Sequence, residues 1–219
     1  MSDHLVDVYD ENYNFLGCAL KSVAHKQGLW HQVFTCIVVN TNKNVIFLQK
    51  KVPGKYTFDR PDYVDITVGG HLKSGESFED GIRELREETG LLASVSDLVS
   101  LGIRQNTFSA ENKYFAYEYQ HIFLYNTKCN LSDFAIDEKE VNGFVEVDID
   151  ELIELLLGSR KDIISKHGFM IDGKYCEKDF IMTLSDIIPS YLKGDKIMLR
   201  LAIAAKRYCK GEELELLFW

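Results

Sequence analysis

The chain has 219 residues, 46% apolar and 27% charged, with a net charge of −9. That length suffices for one sizeable core, and the acidic balance argues against nucleic acid or an anionic membrane as a partner, so a phosphorylated ligand has to be met by local cations. Five scattered cysteines with no CxxC pair, no cationic leader and no apolar run of 18 residues point to free thiols in a reducing compartment and a cytoplasmic protein.

"HLVDVYDENYNFLGCAL" reads as two short strands around Asp10-Glu11-Asn12, and "VAHKQGLWHQVF" as a connection. "HQVFTCIVVNTNKNVIFLQKK" is a hairpin, two β-branched runs parted by the turn-rich stretch 40–44. A loop follows with two of the three prolines, then the strand "YVDITV", which Gly69-Gly70 should end. Residues 77–89 are expected to be helical: Ser77 and Asp80 resemble a capping box, Phe78, Ile82 and Leu85 form one apolar stripe, and Gly90 suits the C-terminal cap. Gly81 within it costs about 1 kcal/mol against alanine. Strands are expected near 97–107, 114–127 and 141–147, then the short helix "DIDELIELLLG". Residues 159–175 look mixed and polar, with a turn at Asp172-Gly173; "EKDFIMTLSDIIPSYLKG" and "DKIMLRLAIAAKRYCKG" read as amphipathic helices. The stripe of Ile197, Leu201 and Ala204 offers core or homodimer contacts. One domain over 1–219 is expected, an α+β core over about 1–158 with a helical C-terminal extension over 159–219.

On the central helix, Glu84, Glu87 and Glu88 stand at i, i+3 and i+4 and share a face. Three neighbouring carboxylates repel one another. Either a hard divalent cation, Mg²⁺ or Mn²⁺, offsets that repulsion, or Arg83 and Arg86 do so on a solvated face. The strand and the loop carrying Gly69, Gly70 and Gly75 precede this helix, and glycine lets backbone approach a ligand closely.

The stretch resembles the Nudix box of MutT-like proteins, Gx5Ex7REUxEExGU with U aliphatic. Gly70, Glu76, Arg83, Glu84, Leu85, Glu87, Glu88, Gly90 and Leu91 match, but six residues rather than seven separate Glu76 from Arg83. The resemblance implies a Nudix fold, a mixed β-sheet sandwiched between helices (α/β/α). It implies a metal-dependent hydrolase that cleaves a phosphoanhydride bond in a small diphosphate compound, a nucleoside diphosphate linked to X or a related molecule. By position, Glu84, Glu87 and Glu88 are the expected metal ligands, with Gly70 contributing backbone; Arg83 orients a glutamate. Glu76 would pair with Arg83, a role the shortened spacing puts in question. The general base is expected from the box, with Glu87 and Glu84 its acidic candidates, or from Glu140 or Glu118; Glu118 is also a candidate ligand. Lys50, Tyr56, Arg60 and His71 are candidate substrate contacts, with Lys51 and Phe58 nearby; the lysines could equally be solvent-facing residues at a strand end.

Most of the chain is similar, more loosely, to the branch containing type I isopentenyl-diphosphate isomerase, through "VDVYDENYNFLG", "HQVFTCIVVN", "VDITVGGH" and "GKYCEKDF". His31 and His71 match two isomerase metal ligands; a structural role suits His31, and His71 is open between ligand contact and structure. The isomerases place their catalytic cysteine where Gly69 stands, and their downstream acidic pair is here Glu118 and Gln120. Glycine moves no protons, which favours the hydrolase. A third reading is a Nudix module that binds a diphosphate without cleaving it.

Overall fold

The computed structural model describes residues 3–52, 62–110, 114–137, 141–212 and 214. Its hub is β3 (Trp30–Asn40), the second half of which is buried on both faces because it lies in the middle of a mixed sheet. β3 pairs antiparallel with β4 (Val45–Lys51) at 38–40, with β6 (Val68–His71) at 33–36, and parallel with β8 (Tyr114–Asn126) along its length. β8 pairs with β7 (Leu98–Ala110). β4 leaves β3 after Phe47 and takes up β5 (Val64–Asp65), while β9 (Val141–Asp148) pairs with it from Val45 to Lys51. β1 (Leu5–Tyr9) and β2 (Phe15–Leu20) close one side.

Period-two alternation sorts β3 onto two cores. Phe34, Cys36 and Val38 pack with Leu72, Leu85 and Leu91 beneath α2 (Ile82–Thr89). Ile37 and Val39 pack against α3 (Ile149–Leu157) and α4 (Ile197–Cys209) on the other face. Helices therefore cover both faces of the sheet, as expected for an α/β/α sandwich. Asp148 caps α3 by accepting from the amides of Asp150 and Glu151. Ile197, Leu201 and Ala204 are fully buried, so that stripe is core and leaves nothing for a dimer contact. Among the described residues no helix is long and apolar enough to cross a membrane.

Four elements differ from expectation. The connection after β2 contains α1 (Lys21–Gln27), one short helix stopped by Gly28 in the left-handed region. Gly69-Gly70 lie within β6 instead of ending a strand. At the entry to α2, residues 77–84 are wound with i to i+3 bonds, from the Asp80 amide to Ser77 O through the Glu84 amide to Gly81 O. The predicted extension is α-helical only in α4, with short 3-10 turns at Leu184–Asp186 and Pro189–Leu192 before it. Ahead of these turns, β10 (Asp162–Ile171) and β11 (Lys174–Thr183) form a hairpin that extends the sheet from β9. Its turn uses Asp172 and Gly173, both with positive φ. β11 is an edge strand whose Ile181 is 64% exposed, so burial imposes little alternation on its sequence.

Candidate active site

The shape of the glycine loop is set by the helix beneath it. A Cβ on Gly70 would overlap the carboxylate carbon and both oxygens of Glu84, whereas one on Gly69 would meet nothing within 4 Å. Gly81 is explained in the same way, since a Cβ there would press on Phe34 and Leu72 at 2.7–2.8 Å. The Ser77–Asp80 pair forms as expected, the Ser77 amide and hydroxyl donating to Asp80 Oδ2 at 2.8 and 2.9 Å.

Arg83 is the hub of the box. Its Nε and Nη2 donate to the two oxygens of Glu76 at 2.9 Å each, a fork-to-fork pair. Nη2 also donates to the His71 carbonyl at 3.0 Å, and Nη1 to Glu84 at 2.5 Å and Glu87 at 3.3 Å. The one-residue shortening thus leaves the Glu76–Arg83 pair intact, and the overwound turns at 77–84 take up the irregularity. Glu88 is held separately. Gln49 Nε2 donates to its Oε2 at 2.9 Å and the Gly69 amide to the same oxygen at 3.3 Å. Burial raises the pKa of Glu84 against the pull of Arg83, and raises that of Glu88 to about 7 against Lys51. For Glu76, burial is outweighed by the Arg83 bonds and the pKa falls. Glu87 is the open member, its side chain 58% exposed against 13% for Glu84.

A second cluster lies across the strand. His25 from α1, His31 from β3, His71 from β6 and Glu118 from β8 bring one ligand atom each within 4.8 Å of one another. Their chemistry fits a divalent cation. His25 Nδ1 donates to the Phe115 carbonyl at 2.9 Å and His31 Nδ1 to the Leu29 carbonyl at 2.8 Å, because a carbonyl only accepts. Both rings thereby turn the Nε2 lone pair inward. His25 Nε2 meets His71 Nε2 at 2.9 Å, while His31 Nε2 is buried without a partner. Burial lowers the pKa of all three, His71 furthest, so they are neutral and ready to ligate. Imidazole donors suit a borderline transition ion better than Mg²⁺.

The structure thus divides the expected ligand set. Glu118 lies with the histidines and not with the box glutamates, and His31, buried in β3, is placed in that same cluster. His25 was missed; its only sequence signal is the spacing to His31 in a segment read as a connection. Lys50 is buried, its ammonium 3.1 Å from the Asp62 carbonyl and 4.3 Å over the Phe180 ring. Lys51 is buried against Gln49 (2.8 Å) and Asp65 (2.7 Å). Neither is the solvent-facing lysine that the strand end allowed. Tyr56, Phe58, Arg60 and Glu140 lie outside the described residues.

The NUDIX domain model matches residues 29–166, which include both clusters except His25. The chain belongs to the Nudix family. It is 33% identical to an uncharacterized Nudix hydrolase of Clostridium acetobutylicum over 91% of this chain and 97% of that protein. It is also 30% identical to an isopentenyl-diphosphate Delta-isomerase of Photorhabdus laumondii, over 56% of this chain and 66% of that one. A Deinococcus radiodurans crystal structure superposes with a TM-score of 0.54 at 16% identity, covering 72% of this chain and 91% of that one, which speaks to the fold alone. With a Nudix domain and a cluster able to hold a metal, the protein is an enzyme of the hydrolase type.

Proposed function

We propose that this Nudix protein cleaves a phosphoanhydride bond in a small diphosphate compound, with divalent cations held by Glu84, Glu87, Glu88 and the Gly70 backbone. The observation that carries the reading is the seat of Glu84 under Gly70, with Arg83 fixed by Glu76 and gripping both Glu84 and Glu87. Buried carboxylates that repel one another and hold raised pKa values are stabilised by a cation. When bound, Mg²⁺ or Mn²⁺ neutralises phosphoryl oxygens and acidifies the attacking water. Arg83 fixes the carboxylates, the glycine backbone leaves them room, and the exposed Glu87 is the group placed to receive a proton from water. His71 belongs to the histidine set, which we assign to a second cation. We read 1–219 as one domain, because β10 and β11 extend the sheet that carries the site.

An isomerase-type reading is favoured by the three histidines with Glu118 and by the Photorhabdus laumondii match. It lacks a proton carrier at Gly69. A panel of diphosphates, assayed with Mg²⁺ and Mn²⁺ and with products identified by mass, separates the readings. Metal-dependent cleavage of a diphosphate into its two phosphorylated products, reduced about 10²-fold or more in Glu87→Gln, supports the hydrolase. Conversion of isopentenyl to dimethylallyl diphosphate without phosphate release supports the isomerase, and binding without turnover supports a binding module.

A further inference from the structure

Two polar chains of the same order run toward the two clusters, one from Asp65 in β5 and the other from Asp195 just before α4. In the first, Lys51 Nζ lies 2.7 Å from Asp65 and donates to Gln49 Oε1 at 2.8 Å; Gln49 Nε2 donates to Glu88 Oε2 at 2.9 Å. In the second, Arg104 Nε and Nη2 grip Asp195 at 2.6 and 3.1 Å and its Nη1 donates to Gln120 Oε1 at 2.8 Å. Gln120 Nε2 then donates to Glu118 Oε2 at 2.8 Å. Each chain therefore reads aspartate, cation, glutamine, glutamate. The amide orientations are forced, since lysine and arginine only donate and a carboxylate only accepts.

The two starting points are linked through the main chain. Ile187 bridges to Val64, the residue before Asp65, and the Ile188 amide donates to the Val64 carbonyl at 3.4 Å. Asp195 lies seven residues beyond Ile188, at the approach to α4.

The interposed glutamine has a specific consequence. A direct Lys51–Glu88 or Arg104–Glu118 ion pair would neutralise the carboxylate and compete with a metal for it. A neutral amide instead fixes one oxygen and leaves the charge available. In both chains the second donor falls on that same oxygen, the Gly69 amide on Glu88 Oε2 and Asn106 Nδ2 on Glu118 Oε2, each at 3.3 Å. Among the described residues these bonds leave Oε1 of each glutamate without a hydrogen-bond donor.

We propose that these two chains set the aim of the two candidate ligand sets, with Asp195, Arg104 and Gln120 as positioning residues for Glu118, and Asp65, Lys51 and Gln49 for Glu88. The inference rests on Glu88 and Glu118 being metal ligands, as proposed above, but it does not require turnover. Outer partners of this kind are worth about 10–100-fold in metal affinity.

The test uses the full chain. Zn²⁺ titration followed through the imidazole resonances reads the histidine site, and Mg²⁺ titration followed through the Gly69 and Gly70 amides reads the carboxylate site. Asp195→Asn should weaken Zn²⁺ about 10–100-fold and leave Mg²⁺ within about twofold; Asp65→Asn should do the reverse. Asp195→Glu should recover part of the Zn²⁺ affinity. Thermal unfolding with chelator present shows whether each variant is folded. Equal losses at both sites in both variants, or no loss in either, overturn the proposal. A wild-type chain that binds neither ion overturns it together with the hydrolase reading; one that binds both but turns over no diphosphate overturns only the latter.

Discussion

Gly69 and Gly70 are adjacent, lie on one strand and are chemically identical, yet they face opposite tests. In Gly70→Ala the new methyl overlaps the Glu84 carboxylate, which is 13% exposed and held at 2.5 Å by Arg83, so the carboxylate has to leave its seat. Losing that charge-assisted bond costs about 1.5–3 kcal/mol. For a chain of this length each kcal/mol moves Tm by about 2–4 °C, so Tm should fall by about 3–12 °C. A displaced ligand should also reduce metal-dependent turnover about 10²-fold, as misplacement by an ångström does. In Gly69→Ala the methyl enters open space, and the stability change should stay within about 0.5 kcal/mol. Differential scanning fluorimetry and Mg²⁺ titration on the two variants side by side make the comparison. If both variants lose Tm and metal alike, or if Gly70→Ala retains wild-type Mg²⁺ affinity, the seat of Glu84 is not what makes this loop glycine-rich.

Gly81→Ala should destabilise by about 1–3 kcal/mol through overpacking against Phe34 and Leu72, despite alanine's better helix propensity; a rise in Tm would contradict the packing. Arg83→Lys keeps the charge but loses the fork on Glu76 and the reach to the His71 carbonyl, so stability should drop by about 1.5–3 kcal/mol in urea unfolding, and a neutral outcome would show that charge alone suffices. His121 packs on Phe78 and shares a 2.9 Å bond with Tyr13, and burial lowers its pKa to about 4. The unfolded chain therefore binds the extra proton first. Its contribution is complete above the unfolded value near 6.5 and is lost as pH falls through about 4, so stability should decline over that window less steeply in His121→Gln than in the wild type.

The carboxylate site was legible because it is local. Its residues fall within 22 positions, and the helix spacing of Arg83, Glu84, Glu87 and Glu88 fixes their face whatever the tertiary structure. Even the irregular spacing after Glu76 could be placed at the start of the helix. Of the histidine cluster, only the family resemblance pointed to His31, His71 and Glu118, and His25 was missed, because the cluster's members come from four elements and meet only through long-range pairing. His31 lies opposite Glu118 across a parallel ladder, a relation no local pattern encodes. The β10–β11 hairpin was misread for a different reason. Phe180, Ile181 and Met182 run consecutively on an edge strand with little burial to impose a period of two, so the sequence suits a helix equally well.

The four residues of β6 link the two clusters through the main chain. Pairing sets Gly70 opposite Phe34 and His71 opposite Val33, so neighbouring residues face opposite sides of the sheet. Gly70 opens toward α2 and makes room for Glu84, while His71 turns its ring toward His25 and His31. Arg83 spans the division, because the guanidinium that grips Glu84 and Glu87 also holds the carbonyl of His71. A shift of the main chain at 70–71 would move a carboxylate seat on one face and an imidazole on the other together. A side-chain-free position at 70 lets the Glu84 carboxylate sit against the strand that carries the histidine, since a Cβ there would take the place of that carboxylate.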